Sequence, residues 1–190
     1  MTPDHSASNP AAQVLRDYFH AKDENRPELL AGVFCADAVL ETAVRTDAIA
    51  FPALTRGRDE IAAVLVTRFA ETYENVHSFY LSPPPRDAAP LACDWLVGMS
   101  QRDDGGVRVG CGRYDWTFES APPHRATRLV ITIDAMQVLP ADRLAETLAW
   151  LRRLSYPWSS AAEVLTALPI TADLEPIRRV LDRPRFRTRP

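Results

Sequence analysis

With 190 residues, 46% of them apolar and 25% charged, the chain has the composition of an ordinary folded domain with room for a sizeable core. A net charge of -3 argues against a nucleic-acid surface. The three cysteines, Cys35, Cys93 and Cys111, are odd in number and lack CxxC or Cys/His spacing, so they signal neither a disulfide framework nor a zinc site.

Residues 1–8 are polar, carry neither a basic nor an apolar leader region, and read as a loose tail. No apolar run is long enough to span a membrane, so a cytoplasmic protein is expected. Asn9 can cap a helix with Pro10 at its first position, and Ala11, Val14, Leu15, Tyr18 and Phe19 then recur at helical spacing. Lys22, the only lysine of the chain, follows. A second short helix starts near Pro27, carries Leu29, Leu30, Val33 and Phe34, and ends around Cys35–Asp37, before a strand over Ala38–Val44. Residues 45–56 show no clean period and read as a loop that crosses the mouth of the domain. Gly57-Arg58-Asp59-Glu60 places acids at the start of a third helix, whose stripe is Ile61, Val64, Leu65, Phe69 and Tyr73. A strand over Val76–Leu81 stops at Pro83-Pro84-Pro85.

The stretch Leu91–Leu139 then reads as an antiparallel meander: Leu91–Arg102, a turn at Asp103–Gly106, Val107–Ser120, a Pro122-Pro123 break, and Arg125–Leu139. Alternation puts Tyr114, Trp116 and Phe118 on one face of the middle strand and Arg113, Asp115, Thr117 and Glu119 on the other. The last strand sets Leu129, Ile131 and Ile133 against Arg128, Val130, Thr132 and Asp134. One apolar and one mixed face are what helices packed on one side of a sheet require. Beyond Pro140 the pattern predicts helices near Leu144–Leu154, after a capping box at Ser160–Glu163, and over Asp173–Leu181, with a basic tail from Arg183 to Pro190. The organisation expected is a flexible segment 1–8, an α+β domain over 9–139, appended helices over 140–182 and a flexible tail over 183–190.

Three motifs in this order carry a family resemblance. Phe34-Cys35-Ala36-Asp37-Ala38-Val39-Leu40 resembles an F-x-x-D-A-x-L junction, Gly57-Arg58-Asp59-Glu60-Ile61 a G-x-D-x-I helix start, and Gly112–Phe118 a G-x-Y-x-x-x-F strand. Together they resemble the SnoaL-like branch of the nuclear-transport-factor-two-like superfamily over about residues 9–139. The resemblance implies a cone: a curved antiparallel sheet wrapped around the N-terminal helices, with a pocket at its open end and a homodimer formed through the outer sheet face. Members include polyketide cyclases, dehydratases, isomerases, epoxide hydrolases and non-catalytic modules, so the fold assigns no activity. The C-terminal helices extend beyond the usual core and would cap the pocket or enlarge a dimer interface.

Enzymes on this fold place a carboxylate or histidine in an apolar cavity, where burial moves its pKa towards neutrality. His77, on the strand after the third helix, is the candidate base; a histidine bonded to backbone at a strand end is the plainer reading. Asp37 at the helix–strand junction and Asp115 on the middle strand are the candidate acids, against a turn-forming role for the first and a cross-strand ion pair for the second. Glu41 and Asp134 share the second ambiguity. Tyr18, Trp95, Tyr114 and Trp116 are the candidate aromatic lining, with Tyr114 placed to polarise a carbonyl. Trp150 and Trp158 would close the opening or seal a partner contact. The chain shows no P-loop, dinucleotide fingerprint, G-x-S-x-G elbow or HExxH, so no cofactor is implied. The expected activity is binding of a hydrophobic small molecule, with cofactor-free isomerisation, dehydration or cyclisation as its catalytic form. The alternative is a dimeric scaffold module for a protein partner, favoured if the cone is filled.

Overall fold

The computed structural model of the chain describes residues 10–83 and 90–184. The expected cap at Asn9, the prolines Pro84 and Pro85, and most of the basic tail lie outside the described residues. Helix α1 (Pro10–Asp23) buries Val14, Leu15, Tyr18 and Phe19 along one side, as its 3.6-residue stripe requires. The chain reverses at Asn25, whose φ of 53° suits an asparagine. It then makes a 3-10 turn (Pro27–Leu29) and the single turn α2 (Leu30–Val33). Strand β1 (Phe34–Val44) begins at Phe34, earlier than the sequence pattern suggests, because a bulge between Phe34 and Val39 interrupts its alternation. The next segment also contains an element without a sequence signal: β2 (Leu54–Arg56) pairs with β1 but buries only Thr55, too little to set a period.

Gly57, at φ 84°, turns the chain into a helix made of α3 (Arg58–Ala62), a π-helical stretch (Ala63–Thr67) and α4 (Arg68–Thr72). The helix stops one residue before its expected last stripe position. Tyr73 opens strand β3 (Tyr73–Tyr80), which bulges between Glu74 and His77 around Asn75 at φ 52°. Strands β4 (Leu91–Gln101), β5 (Val107–Phe118) and β6 (Ala126–Leu139) form the meander within two residues of the sequence boundaries. The curved, unclosed sheet has the order β2-β1-β6-β5-β4-β3. Every pair in it is antiparallel except β1 with β6, where Leu40 faces Leu129.

Two cores lie on opposite sides of this sheet. The concave side holds Tyr114, Trp116, Leu129 and Ile131 against α1 and the α3–α4 helix. The convex side is divided. One half, around Leu96, Val107, Val109 and Cys111, is apolar and lies under helices α5 (Leu144–Leu151), α6 (Ala161–Ala167) and α7 (Glu175–Leu181). The other half carries the charged rows Arg113/Asp115 and Arg128/Glu41. The C-terminal helices therefore cover the outer face of the sheet rather than the mouth of the cone. Trp150 and Leu151 are fully buried there, each worth about 1.5–3 kcal/mol by apolar burial. Gly98 admits α5, since a Cβ at that position would lie 2.3 Å from Leu151 Cδ1.

Between α5 and α6 the chain returns to the edge of β3. Tyr80 N–H donates to Pro157 O at 2.9 Å and Ser159 N–H to Tyr80 O at 2.8 Å, which occupies an otherwise open strand edge. Half of the predicted capping box forms: Ser160 Oγ accepts from Glu163 N–H at 3.1 Å, while the Glu163 carboxylate accepts from Ser155 and Ser159. No described helix is long and apolar enough to cross a membrane.

Candidate functional site

Inside the cone lies a cavity of about 50 Å³. Helix α1 contributes Tyr18 and Lys22, one turn apart on its inward face. Alternation along β4 turns Trp95, Val97 and Met99 inwards, while β5 supplies Tyr114 and β6 supplies Ile131 and Ile133. Phe51 from the loop after β1, with Leu65 and Phe69 from the α3–α4 helix, forms the remaining wall. The π-helical stretch ends two residues before Phe69, where a widened turn re-aims the side chains that follow.

The polar atoms in this wall are few. Tyr18 meets Tyr114 edge-on at 5.7 Å, and Trp95 stacks on Tyr114 at 5.5 Å. Burial pushes the Tyr18 and Tyr114 phenols up, so both stay protonated and remain available as donors. Among the described residues the Tyr18 hydroxyl feels Tyr114 but makes no well-formed hydrogen bond, and Trp95 Nε1 finds no acceptor.

The most unusual group is Lys22. The only lysine of the chain is 7% exposed, with its ammonium between the faces of Phe19 and Phe69 at 5.8 and 5.4 Å. It donates to Asp23 Oδ1 at 2.5 Å and to Ser78 Oγ at 2.6 Å. Ser78 in turn donates through Oγ to Asp23 Oδ1 at 2.9 Å and through its backbone N–H to Asp23 Oδ2 at 2.8 Å. The three side chains form a closed ring in which the buried ammonium and carboxylate neutralise each other. An ammonium has three N–H bonds, and two are used in the ring. The β3 bulge makes this possible, because the extra residue turns Ser78 inwards and sends His77 outwards.

Of the residues singled out in the sequence, Tyr18, Trp95 and Tyr114 meet in the cavity wall. Trp116 does not. It is buried deeper, stacked between Phe34 and Phe118 at 5.9 and 6.0 Å. His77, Asp37 and Asp115 are not brought together, and none lines the cavity. His77 shares the convex side with Phe79, and its Nδ1 lies 3.0 Å from the Asn75 carbonyl. Asp37 is exposed in the β1 bulge, beside the Cys35 thiol, which burial and this carboxylate push up. Asp115 lies on the outer face and accepts from Arg113 Nε at 3.0 Å. Glu41 pairs there with Arg128, whose hydrogen bond holds it below the usual carboxylate range. Asp134 sits at the β6 bulge and accepts from Arg45 at 2.8 Å.

Trp150 belongs to the convex core. Trp158 stacks on Tyr80 at 4.9 Å beside α1, so neither tryptophan closes the cavity. The sequence does carry one sign of Lys22: at helical spacing it falls on the stripe of Leu15 and Tyr18, where a cation is out of place. Asp23 and Ser78 carry no such sign. Among the described residues no three His, Cys, Asp or Glu side chains converge as a metal site. The three cysteines are buried.

The model of the SnoaL-like domain matches residues 9–122. None of the curated protein sequences matches the chain. Among solved structures, a nuclear transport factor 2-like superfamily protein from Salmonella enterica serovar Typhimurium is 18% identical over 65% of this chain and 88% of its own, with a TM-score of 0.53. A hexachlorocyclohexane dehydrochlorinase is 14% identical over 70% and 89%, with a TM-score of 0.54. A hypothetical protein with a ketosteroid isomerase-like fold from Catenulispora acidiphila is 16% identical over 63% and 83%, with a TM-score of 0.50. At these identities the likeness is one of fold.

Proposed function

The chain belongs to the SnoaL-like domain family, and from that premise we propose that it binds a small, uncharged, hydrophobic molecule inside the cone, with an oxygen of the ligand facing Lys22. The observation that carries the reading is the placement of one buried ammonium, two protonated phenols and an indole N–H in an otherwise apolar wall. The ammonium and the indole can only donate, and the phenols can donate as well as accept, so a ligand acceptor is the complement this wall favours. Asp23 already neutralises Lys22. A ligand carboxylate would leave an uncompensated charge in the interior, at a cost of roughly several kcal/mol, so a carbonyl fits better.

The same donors polarise a bound carbonyl, which keeps an acid/base isomerase or dehydratase reading open through Lys22 and Tyr114. Asp23 is a carboxylate at this end of the wall, but three of its roughly four lone-pair sites are engaged by Lys22 and Ser78. Binding is therefore better supported than proton abstraction. His77, Asp37 and Asp115 would need a second site on the outer surface to contribute. A homodimer or a scaffold contact would use the charged half of the outer face, since the chain's own helices occupy the apolar half.

Titration of the protein with an uncharged aryl ketone and with the carboxylic acid of the same skeleton tests the proposal through tryptophan fluorescence. The ketone is expected to bind saturably and at least ten-fold more tightly. Equal affinity for the acid, or no binding of either, overturns it. Deuterium uptake at the α-carbon of the bound ketone in D₂O, lost in Lys22→Met, would establish the catalytic form.

A further inference from the structure

A cavity of about 50 Å³ holds water-sized contents, whereas ordinary ligand sites start at roughly 300 Å³. Two further hollows adjoin it. One of about 220 Å³ lies between the loop after β1 and the α3–α4 helix, and one of about 180 Å³ lies between the end of α1 and the start of β3. Their walls are shared pairwise. Phe51 lines both the inner cavity and the first hollow, Lys22 both the inner cavity and the second, and Tyr73 both outer hollows. Phe69 lines all three.

We infer that the three hollows are one ligand chamber, partitioned in the empty protein by the Phe69 ring, and that Phe69 sets the size of the molecule the chamber accepts. This rests on the reading of the cone interior as a ligand site. Phe69 is 8% exposed and is held by ring contacts rather than by any directional bond: Tyr73 at 4.9 Å, Phe51 at 6.4 Å and the Lys22 ammonium at 5.4 Å. These are the weak, adjustable interactions of an aromatic cluster and a cation–ring contact, which a flat ligand can replace.

The backbone around the partition is suited to movement. The π-helical stretch directly precedes α4, so its wide turn can relax without breaking the helix at either end. The loop bearing Phe51 is tied at its ends, through Thr42 N–H to Ala53 O at 3.0 Å and through Arg108 to Ala48 O. Phe51 itself is left to packing. Swinging the Phe69 ring aside joins the inner cavity to both outer hollows, which brings the total into the range of ordinary ligand sites. It also removes one of the two ring faces that shield Lys22, freeing the ammonium for the ligand's oxygen. The molecule that fits is elongated, flat and uncharged. Its apolar body replaces the Phe69 ring contacts against Phe51 and Tyr73, and its oxygen reaches Lys22.

The test uses prodan, an uncharged and elongated naphthyl ketone whose emission reports polarity, with the full chain as wild type, Phe69→Ala and Phe69→Leu. Phe69→Leu keeps the core filled should the alanine variant fold poorly. Both variants are expected to bind prodan at least ten-fold more tightly and faster than wild type, with blue-shifted emission. If wild type and both variants bind with the same affinity and rate, Phe69 is not a partition, and the interior-site reading survives alone. If none of the three binds, the interior-site reading and the partition fall together.

Discussion

Lys22 Nζ lies 2.6 Å from Ser78 Oγ, a bond across 56 residues that fastens the C-terminal end of α1 to the inward face of β3. It closes a ring with Asp23, so the one ammonium in the core is matched by one carboxylate. The ring has a structural and a functional consequence. It holds the helix in the cone, and it sets the polarity of what the cone accepts.

Removing the cation alone leaves a buried carboxylate unpaired. Lys22→Met is expected to destabilise the fold by about 3–5 kcal/mol, and the double change Lys22→Met/Asp23→Asn by clearly less, because both charges are then gone. Urea unfolding of the two variants checks the order. A double variant no more stable than Lys22→Met would show that the ring does not act as a neutral pair.

Gly98 and Leu151 supply a separate test of the convex core. A methyl at position 98 points into Leu151 Cδ1, so Gly98→Ala should cost roughly 1–3 kcal/mol by overpacking. Leu151→Ala should relieve that strain while adding a cavity, so the two effects should be less than additive. Thermal unfolding of the four proteins in the cycle reads the coupling.

Glu163 gives the C-terminal helices a pH dependence. Burial pushes its carboxyl up, but hydrogen bonds from Ser155 N–H, Ser155 Oγ and Ser159 Oγ at 2.7, 2.9 and 3.0 Å outweigh this and leave it below the usual carboxylate range. A depressed folded-state pKa adds stability that is fully present above the unfolded value, roughly 4.3, and is lost as pH falls through the folded value. Between pH 7 and pH 3 the stability advantage of wild type over Glu163→Gln should therefore shrink. Denaturant midpoints at both pH values measure it.

The meander and the order of helices are legible in the sequence because long alternating strands and a clean helical stripe leave little choice of period. The same alternation puts Tyr114 and Asp115 on opposite faces of β5, but it does not say which face lines the cavity, and Asp115 therefore stays a candidate acid until the helices are placed. What is not legible is set by single residues. One extra residue near Asn75 reverses the facing of the rest of β3, so His77 points out and Ser78 points in. The ring of Lys22, Asp23 and Ser78 depends on that reversal, and no local pattern announces it. Nor does a mixed strand face reveal that half of it is roofed by helices 30 or more residues later, since Val107, Val109 and Cys111 look like a weak second stripe until α5 and α7 cover them.

That roof predicts the state of the chain in solution. Ending the protein before α5 would expose the apolar half of the outer face, including Leu96, Val107 and Val109, and is expected to cause aggregation. In the full chain a dimer through the outer sheet face would have to use its charged half. It should then dissociate as salt rises from low to high ionic strength, which light scattering after gel filtration would follow.

Because Lys22 is the only lysine, labelling lysine with ¹³Cε and ¹⁵Nζ places a single side-chain reporter at the polar end of the cone. Titration with prodan is the most direct measurement of the central claim. A ligand oxygen at Lys22 is expected to give one lysine signal, distinct from that of a solvent-exposed lysine, which shifts saturably with the same midpoint as the prodan fluorescence. A lysine signal that stays fixed while the fluorescence saturates would place the ligand elsewhere and overturn its contact with Lys22.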